Sequence, residues 1–245
     1  MNIVKKNIIQ LLIVMVIVGI IYLIPQMSLA AASPSNTRLQ AANYMVNNVN
    51  VLHGKFVVGS RTFYLVNQAA AEKAGYNGWS GFCNRAVAVT LKTGIANSKK
   101  VGDMLYSAST TYKGKSLMYD NGSYNASTNS FFGSSLKGKG SLQHNVYSKS
   151  YSYVRDSLLK YYLTRGYYLG VRIKPYYTGA SGITWTTDTT HWVAILAIHT
   201  DSNGTTKILV ADPSSRGKNN SKWYNINEFG RNKNAIEYVT ALLPK

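Results

Sequence analysis

The chain is short of acid, of proline and above all of cysteine. It has 9 acidic side chains against 27 lysines and arginines, 5 prolines and one cysteine in 245 residues. One cysteine excludes an internal disulfide framework, so Cys83 is an intermolecular partner, an inert buried thiol or a reactive one. The histidines, at 53, 144, 191 and 199, lack metal-ligand spacing, and no second cysteine accompanies them. No Gly-x-Ser-x-Gly elbow or phosphate-binding loop occurs. Glu72, Glu228, Glu237 and the six aspartates single out no pair for glycoside hydrolysis. We therefore expect neither a cofactor nor a metal.

The shortage of acid leaves a formal net charge of +18. Residues 1–30 carry the three parts of an export signal: Lys5 and Lys6, an apolar run from Leu11 to Ile24, and small residues at Ser28 and Ala30. Cleavage is expected after Ala30 or Ala32, since the run is short and Pro25 interrupts its end. The competing reading is an uncleaved membrane anchor, because the run extended back to Ile8 approaches a bilayer span. Loss of 1–30 removes two lysines and no acid, which takes the charge from +18 to +16. The remainder, 31–245, is expected to be one domain, monomeric, and secreted or attached to the cell surface or wall. Its charge draws it to anionic surfaces such as wall polymers or lipid headgroups. The basic residues are scattered as singles and pairs (Lys99-Lys100, Lys137, Lys139), which argues against a nucleic-acid partner.

Apolar spacing at Leu39, Ala42, Val46 and Val49 predicts a helix over 37–49 with Asn36 as its N-cap. A short strand is expected near Phe56–Val58, an alanine-rich helix around Tyr64–Ala74, and a Gly-rich loop Gly75–Phe82. A helix from Cys83 to Lys92, stopped by Gly94, and a shorter one over Ser98–Ala108 follow. Residues 109–150 turn to Ser, Gly, Asn, Tyr and Lys and read as a long insertion, either a solvated loop or a substrate-binding flap. Helix returns over Tyr153–Leu163 and strand over Tyr167–Ile173. Two apolar runs, Trp192–Ile198 and Lys207–Ala211, flank Thr200-Asp201-Ser202-Asn203-Gly204 and predict a hairpin.

Cys83 stands where a Gly-rich loop meets a predicted helix N-terminus, whose unpaired N–H groups favour a thiolate. Gly81 lets the loop approach a substrate backbone, and Trp79, Phe82 and Trp192 are candidates to wall a binding cleft. His191 begins one hairpin strand and Asp212 ends the other. A four-residue loop Thr200–Asn203 would stand them directly opposite, whereas a two-residue Asn203-Gly204 turn would set Asp212 opposite Ile195. An Asp accepting from the imidazole N–H leaves the other ring nitrogen for a thiol, so a longer loop or a β-bulge is expected here.

The segment Asn77-Gly-Trp-Ser-Gly-Phe-Cys83 resembles the nucleophile loop of papain-like cysteine peptidases. Thr190-His-Trp-Val-Ala-Ile-Leu-Ala-Ile198 and Ile208-Leu-Val-Ala-Asp-Pro-Ser214 resemble the His and Asp strands of the double-glycine peptidases and their secreted relatives. The likeness spans most of 64–230. It implies an α+β papain-like fold, with a helical part carrying Cys83 packed on an antiparallel sheet carrying His191 and Asp212. It also implies a secreted peptidase acting on peptide or protein through Cys83, His191 and Asp212, with Asn77 as an oxyanion donor. Two departures stand out. Asn77 is one methylene shorter than the family's Gln, with Gln68 too far upstream to replace it, and Asn84 follows the cysteine where a small residue is usual. A wall amidase, peptidoglycan endopeptidase or transglutaminase-like acyltransferase would use the same triad. A non-enzymatic cationic wall-binding protein is the reading from another class.

Overall fold

In the computed structural model of the chain, residues 33–34, 37–78, 82–117, 142–174, 190–230 and 235–242 are described. The export-signal segment, Asn36 and the middle of the 109–150 insertion lie outside them. In chain order the elements are β1 (Met45–Val46), β2 (Val49–Asn50), β3 (Leu52–Val58), β4 (Arg61–Val66), α1 (Gln68–Lys73), β5 (Tyr76–Asn77), α2 (Cys83–Ile95) and α3 (Val101–Ala108). Then come β6 (Thr111–Tyr112), β7 (Lys115–Ser116), β8 (Leu142–Asn145), a wide π-type helix α4 (Tyr153–Lys160) and α5 (Tyr161–Leu163). The last are β9 (Tyr168–Ile173), β10 (His191–Thr200), β11 (Thr206–Ala211), α6 (Gly217–Asn220), β12 (Trp223–Asn225) and β13 (Ile236–Leu242). Among the described residues no helix is long and apolar enough to cross a membrane.

The molecule is a mixed α/β structure with antiparallel sheets. Its centre is a six-stranded sheet ordered β12-β11-β10-β9-β13-β8. β10 is central and its residues 192–198 are all buried, as an unbroken apolar run requires when both faces of a strand are covered. One face packs against α2 and the β3–β4 hairpin through Trp192, Ala194, Leu196, Leu209 and Ala211. The other packs against α4 and α5 through Val193, Ile195, Ile208 and Val210.

Four expectations need correction, the last of them at Gly94. The apolar residues over 37–49 belong to an extended stretch and the β1–β2 hairpin, not to a helix. Asn47 and Asn48 have φ of 50° and 61°, the left-handed pair that a two-residue hairpin turn demands and that Asn tolerates. Tyr64–Ala74 divides at Asn67, whose side chain accepts from the Ala70 N–H and caps α1, so Tyr64 to Val66 belong to β4. Within the 109–150 insertion, expected as a loop or flap, described residues form strands: β6 and β7 extend a small sheet begun by β5, and β8 joins the main sheet beside β13.

α2 is almost wholly buried and is tied to β4 by side chains. Thr90 Oγ1 accepts from the Val66 N–H at 3.1 Å and Thr93 Oγ1 from the Tyr64 N–H at 3.0 Å, so the strand's open edge is satisfied by the helix. Arg61 donates to the carbonyls of Gly94 and Ile95, placing a cation on the helix C-terminus. Gly94 does not end the helix as expected; it lies within it because the Phe63 ring packs directly on its Cα, where a methyl group would collide. Gly94→Ala is therefore expected to destabilise by about 1–3 kcal/mol through overpacking, read as a lower Tm in a thermal melt with the helical signal retained at low temperature.

Candidate active site

Cys83 is the first residue of α2. The N-cap, Phe82, makes no side-chain capping bond, and the first turn carries no acid. In that turn the Arg85 N–H donates to Asn84 Oδ1 at 2.8 Å, and the positive end of the helix dipole lies beside Cys83 with no acid in the turn to oppose it. The thiol is partly buried and forms no disulfide.

His191 opens β10, and Asp212 lies one residue past β11. The two strands leave a five-residue loop, 201–205, with Thr200 paired to Thr206 and Gly204 at φ 82°. Carried down the ladder, that register would set Asp212 across from Ala194, three residues from His191 and on the opposite face. A β-bulge prevents this. Ala197 pairs with Leu209, but Ile195 pairs with Val210, so β10 spends one extra residue, Leu196. Leu196 and Ala197 consecutively enter the same core, against α2. Beyond the bulge Ala194 pairs with Ala211, and Asp212 falls level with Val193, on the face of His191 and two residues along. The pair is thus diagonal, where direct opposition was one expectation, and a longer loop and a bulge are both used.

His191 Nε2 stands 2.8 Å from Asp212 Oδ1. The carboxylate only accepts, so the Nε2 hydrogen is assigned to this bond. Cys83 is close enough to the same ring to act on its protonation, and Nδ1 is the ring nitrogen left to face it. The structure thus gathers Cys83 and Asp212 around the one His191 imidazole.

Asp212 is wholly buried. Oδ1 also accepts from the Ser214 N–H at 2.8 Å, and Oδ2 accepts from Ser214 Oγ at 2.7 Å and Asn220 Nδ2 at 2.8 Å. The Asp212 N–H donates to Ser221 Oγ at 2.9 Å. Burial, the largest influence, pushes its pKa up, but hydrogen bonding and charge from His191 and the donors of Ser214 and Asn220 hold it below the ordinary value. For His191 burial is again the largest influence and pulls downward. Hydrogen bonds and charge from Asp212 and Cys83 outweigh it and raise the ring to about 9.

The other expected residues fare differently. Asn77 is in β5 with its side chain exposed, and its backbone carbonyl accepts from the Thr110 N–H at 2.8 Å. Trp79 and Gly81 lie outside the described residues. Phe82 and Trp192 are withdrawn into the core between α2 and the sheet, so their rings back the site and do not line its surface. Sequence reasoning missed Ser214, Asn220 and Ser221. Ser214 was readable, since an Asp commonly bonds the backbone two residues on; Asn220 and Ser221 return only through α6. A second His–Asp contact, His199 to Asp201 at 3.1 Å, sits on the surface with Lys207 at 2.6 Å from the same carboxylate, and differs by exposure. Among the described residues no three His, Cys, Asp or Glu side chains gather as a metal-binding group.

The raised His191 pKa fixes the sign of a pH dependence. The folded protein holds this proton more tightly than an unfolded chain with a ring near 6.5, so the stabilisation is complete below pH 6.5 and is lost as pH rises through about 9. Thermal melts of the wild type between pH 6 and 10 should show Tm falling across that window, with a flatter dependence in Asp212→Asn. In that variant an NMR titration should find the His191 ring shifted from about 9 toward 6.5.

The chain matches no family model and no curated protein. Among solved structures it is similar to a recombinant stem bromelain precursor, at 11% identity and a TM-score of 0.37, over 87% of this chain and 81% of that one. A likeness of that size bears no weight on fold or activity, which rest on the chain's own residues.

Proposed function

We propose that the protein is an exported cysteine peptidase of papain-like fold, comprising one domain over 31–245 and acting on peptide or protein substrates. The observation that carries this reading is the line Asp212–His191–Cys83, with 2.8 Å between His191 Nε2 and Asp212 Oδ1 and the sulfur at the start of α2. A His–Asp contact alone is a common structural pair. Its connection to the one thiol of the chain, at a helix N-terminus, is what argues for nucleophilic catalysis.

In this reading the thiolate of Cys83 attacks an amide carbonyl carbon. A C–S bond forms, and negative charge gathers on the carbonyl oxygen, where the Cys83 N–H and Asn77 are the proposed donors. The C–N bond then breaks as His191 passes its Nδ1 proton to the leaving amine. His191 next takes a proton from water, the hydroxide attacks the thioester, and the C–S bond breaks to return the thiolate. Asp212 does not change protonation; it keeps the Nε2–H tautomer and balances the imidazolium. The net charge of +16 over 31–245 favours peptides held at an anionic wall or lipid surface.

A thiol-directed probe tests the reading. The wild type should label at Cys83 and cleave a peptide library. Cys83→Ala should do neither, and His191→Ala should lose about 10²–10⁴-fold in turnover with slowed labelling. Equal, slow labelling of wild type and His191→Ala would overturn it. Asn77→Ala should cost about 10²–10³-fold in kcat, and an unchanged kcat would remove its amide from the oxyanion site.

A further inference from the structure

We propose that His53 is a positioning residue for the Cys83–His191–Asp212 line, holding Asp212 in place through the Ser214 carbonyl. The inference rests on the functional reading above and deepens it.

His53 lies on β3, far in sequence from the site. It occupies a register shift of its own: Leu52 pairs with Val66 but Gly54 pairs with Leu65, so His53 is the extra residue of a bulge. A bulge takes a residue out of the ladder and re-aims its side chain. This ring turns inward, with 6% exposure, and Nε2 stands 2.6 Å from the Ser214 carbonyl oxygen. Ser214 is no incidental partner. Its N–H and Oγ make two of the four hydrogen bonds on the Asp212 carboxylate. His53 therefore grips by its carbonyl the residue that grips Asp212 by its N–H and hydroxyl.

The surroundings leave this loop little slack. The Ser214 carbonyl also accepts from the Gly217 N–H at 2.8 Å, and the Pro213 carbonyl accepts from the Gln68 N–H at 2.8 Å. At Gly217 a Cβ would collide with both the Asp212 carbonyl and the His53 ring, so ring, loop and α6 are in direct contact. The protonation state fits the role. Burial foremost lowers the His53 pKa, and Lys218 adds to this, against an upward pull from the Ser214 and Pro213 carbonyls and Asp212. Burial outweighs that pull, and the resulting neutral ring donates from Nε2 to the Ser214 carbonyl.

On its outer side His53 borders a groove of about 360 Å³, lined also by Gln40, Asn43, Asn50, Leu52 and Lys218. Removing the imidazole would leave an imidazole-shaped space continuous with this groove and open to a small molecule from solvent. That makes the inference testable by rescue.

The test uses the full chain and two readouts: the rate of Cys83 alkylation by iodoacetamide, and the NMR titration of the His191 ring. His53→Gln places an amide nitrogen where Nε2 was, whereas His53→Asn ends too short to reach Ser214. Gln should stay within a few-fold of wild type. Asn and Ala should each lose about tenfold or more, the factor of one hydrogen bond to the loop, with the His191 titration lowered from about 9. Added imidazole should restore much of the rate in His53→Ala and leave His53→Gln unchanged. Asn and Ala variants with wild-type rate and titration would overturn the inference. So would equal losses in Gln and Asn with no rescue by imidazole, which would mark a purely structural histidine. If His53→Ala does not fold, the Gln and Asn pair decides alone. Alkylation of the wild type that is indifferent to His191→Ala would sink the catalytic reading itself; His191-dependent alkylation untouched at position 53 would sink only this inference.

Discussion

A carboxylate with no access to water must be held by donors or it takes up a proton, and the organisation of this protein around Asp212 follows from that constraint. Each oxygen of Asp212 accepts two hydrogen bonds, three from Ser214 and Asn220 and one from His191. The negative charge so retained lifts the His191 ring against its own burial and fixes which nitrogen carries the hydrogen toward Asp212. The chemistry open to Cys83 is thus set several bonds away from the sulfur, in the loop after β11.

Two halves of the structure have to meet for this to matter. α2 is fastened to β4 through Thr90, Thr93 and Arg61 and packs on the β10 face carrying Leu196 and Ala197. Its N-terminus, and with it Cys83, is thereby brought to the start of β10. On the opposite face α4 and α5 cover Val193, Ile195 and Val210. The central strand is buried on both sides, a rigid platform from which the His191 side chain projects at the sheet's end. Rigid elements fix catalytic geometry more closely than loops do.

Much of this was legible in the residues. The unbroken apolar run after His191 announced a buried strand, the turn residues 201–204 announced the hairpin, and Cys83 followed by an apolar helical pattern announced α2. Where the reading failed, a local signal lost to a stronger one. The helical spacing over 37–49 gave way to Asn47 and Asn48, whose tolerance of positive φ makes a hairpin turn. Gly94, a helix stop by itself, stayed helical because Phe63 needs the space that a side chain would fill. Phe82 and Trp192 were spent on the core, since large apolar surface gains more there than on a cleft wall.

The residue types and their order determined by themselves that one thiol, one histidine and one aspartate stand at element ends, two of them on a single hairpin. Only the tertiary structure decided that His191 and Asp212 share a face. In an uninterrupted apolar strand no alternation marks which residues face which side, so the bulge at Leu196 is not written in the pattern. It arises because Leu196 and Ala197 are both drawn into the core beneath α2, and that burial shifts the register by the one residue on which the contact between His191 and Asp212 depends.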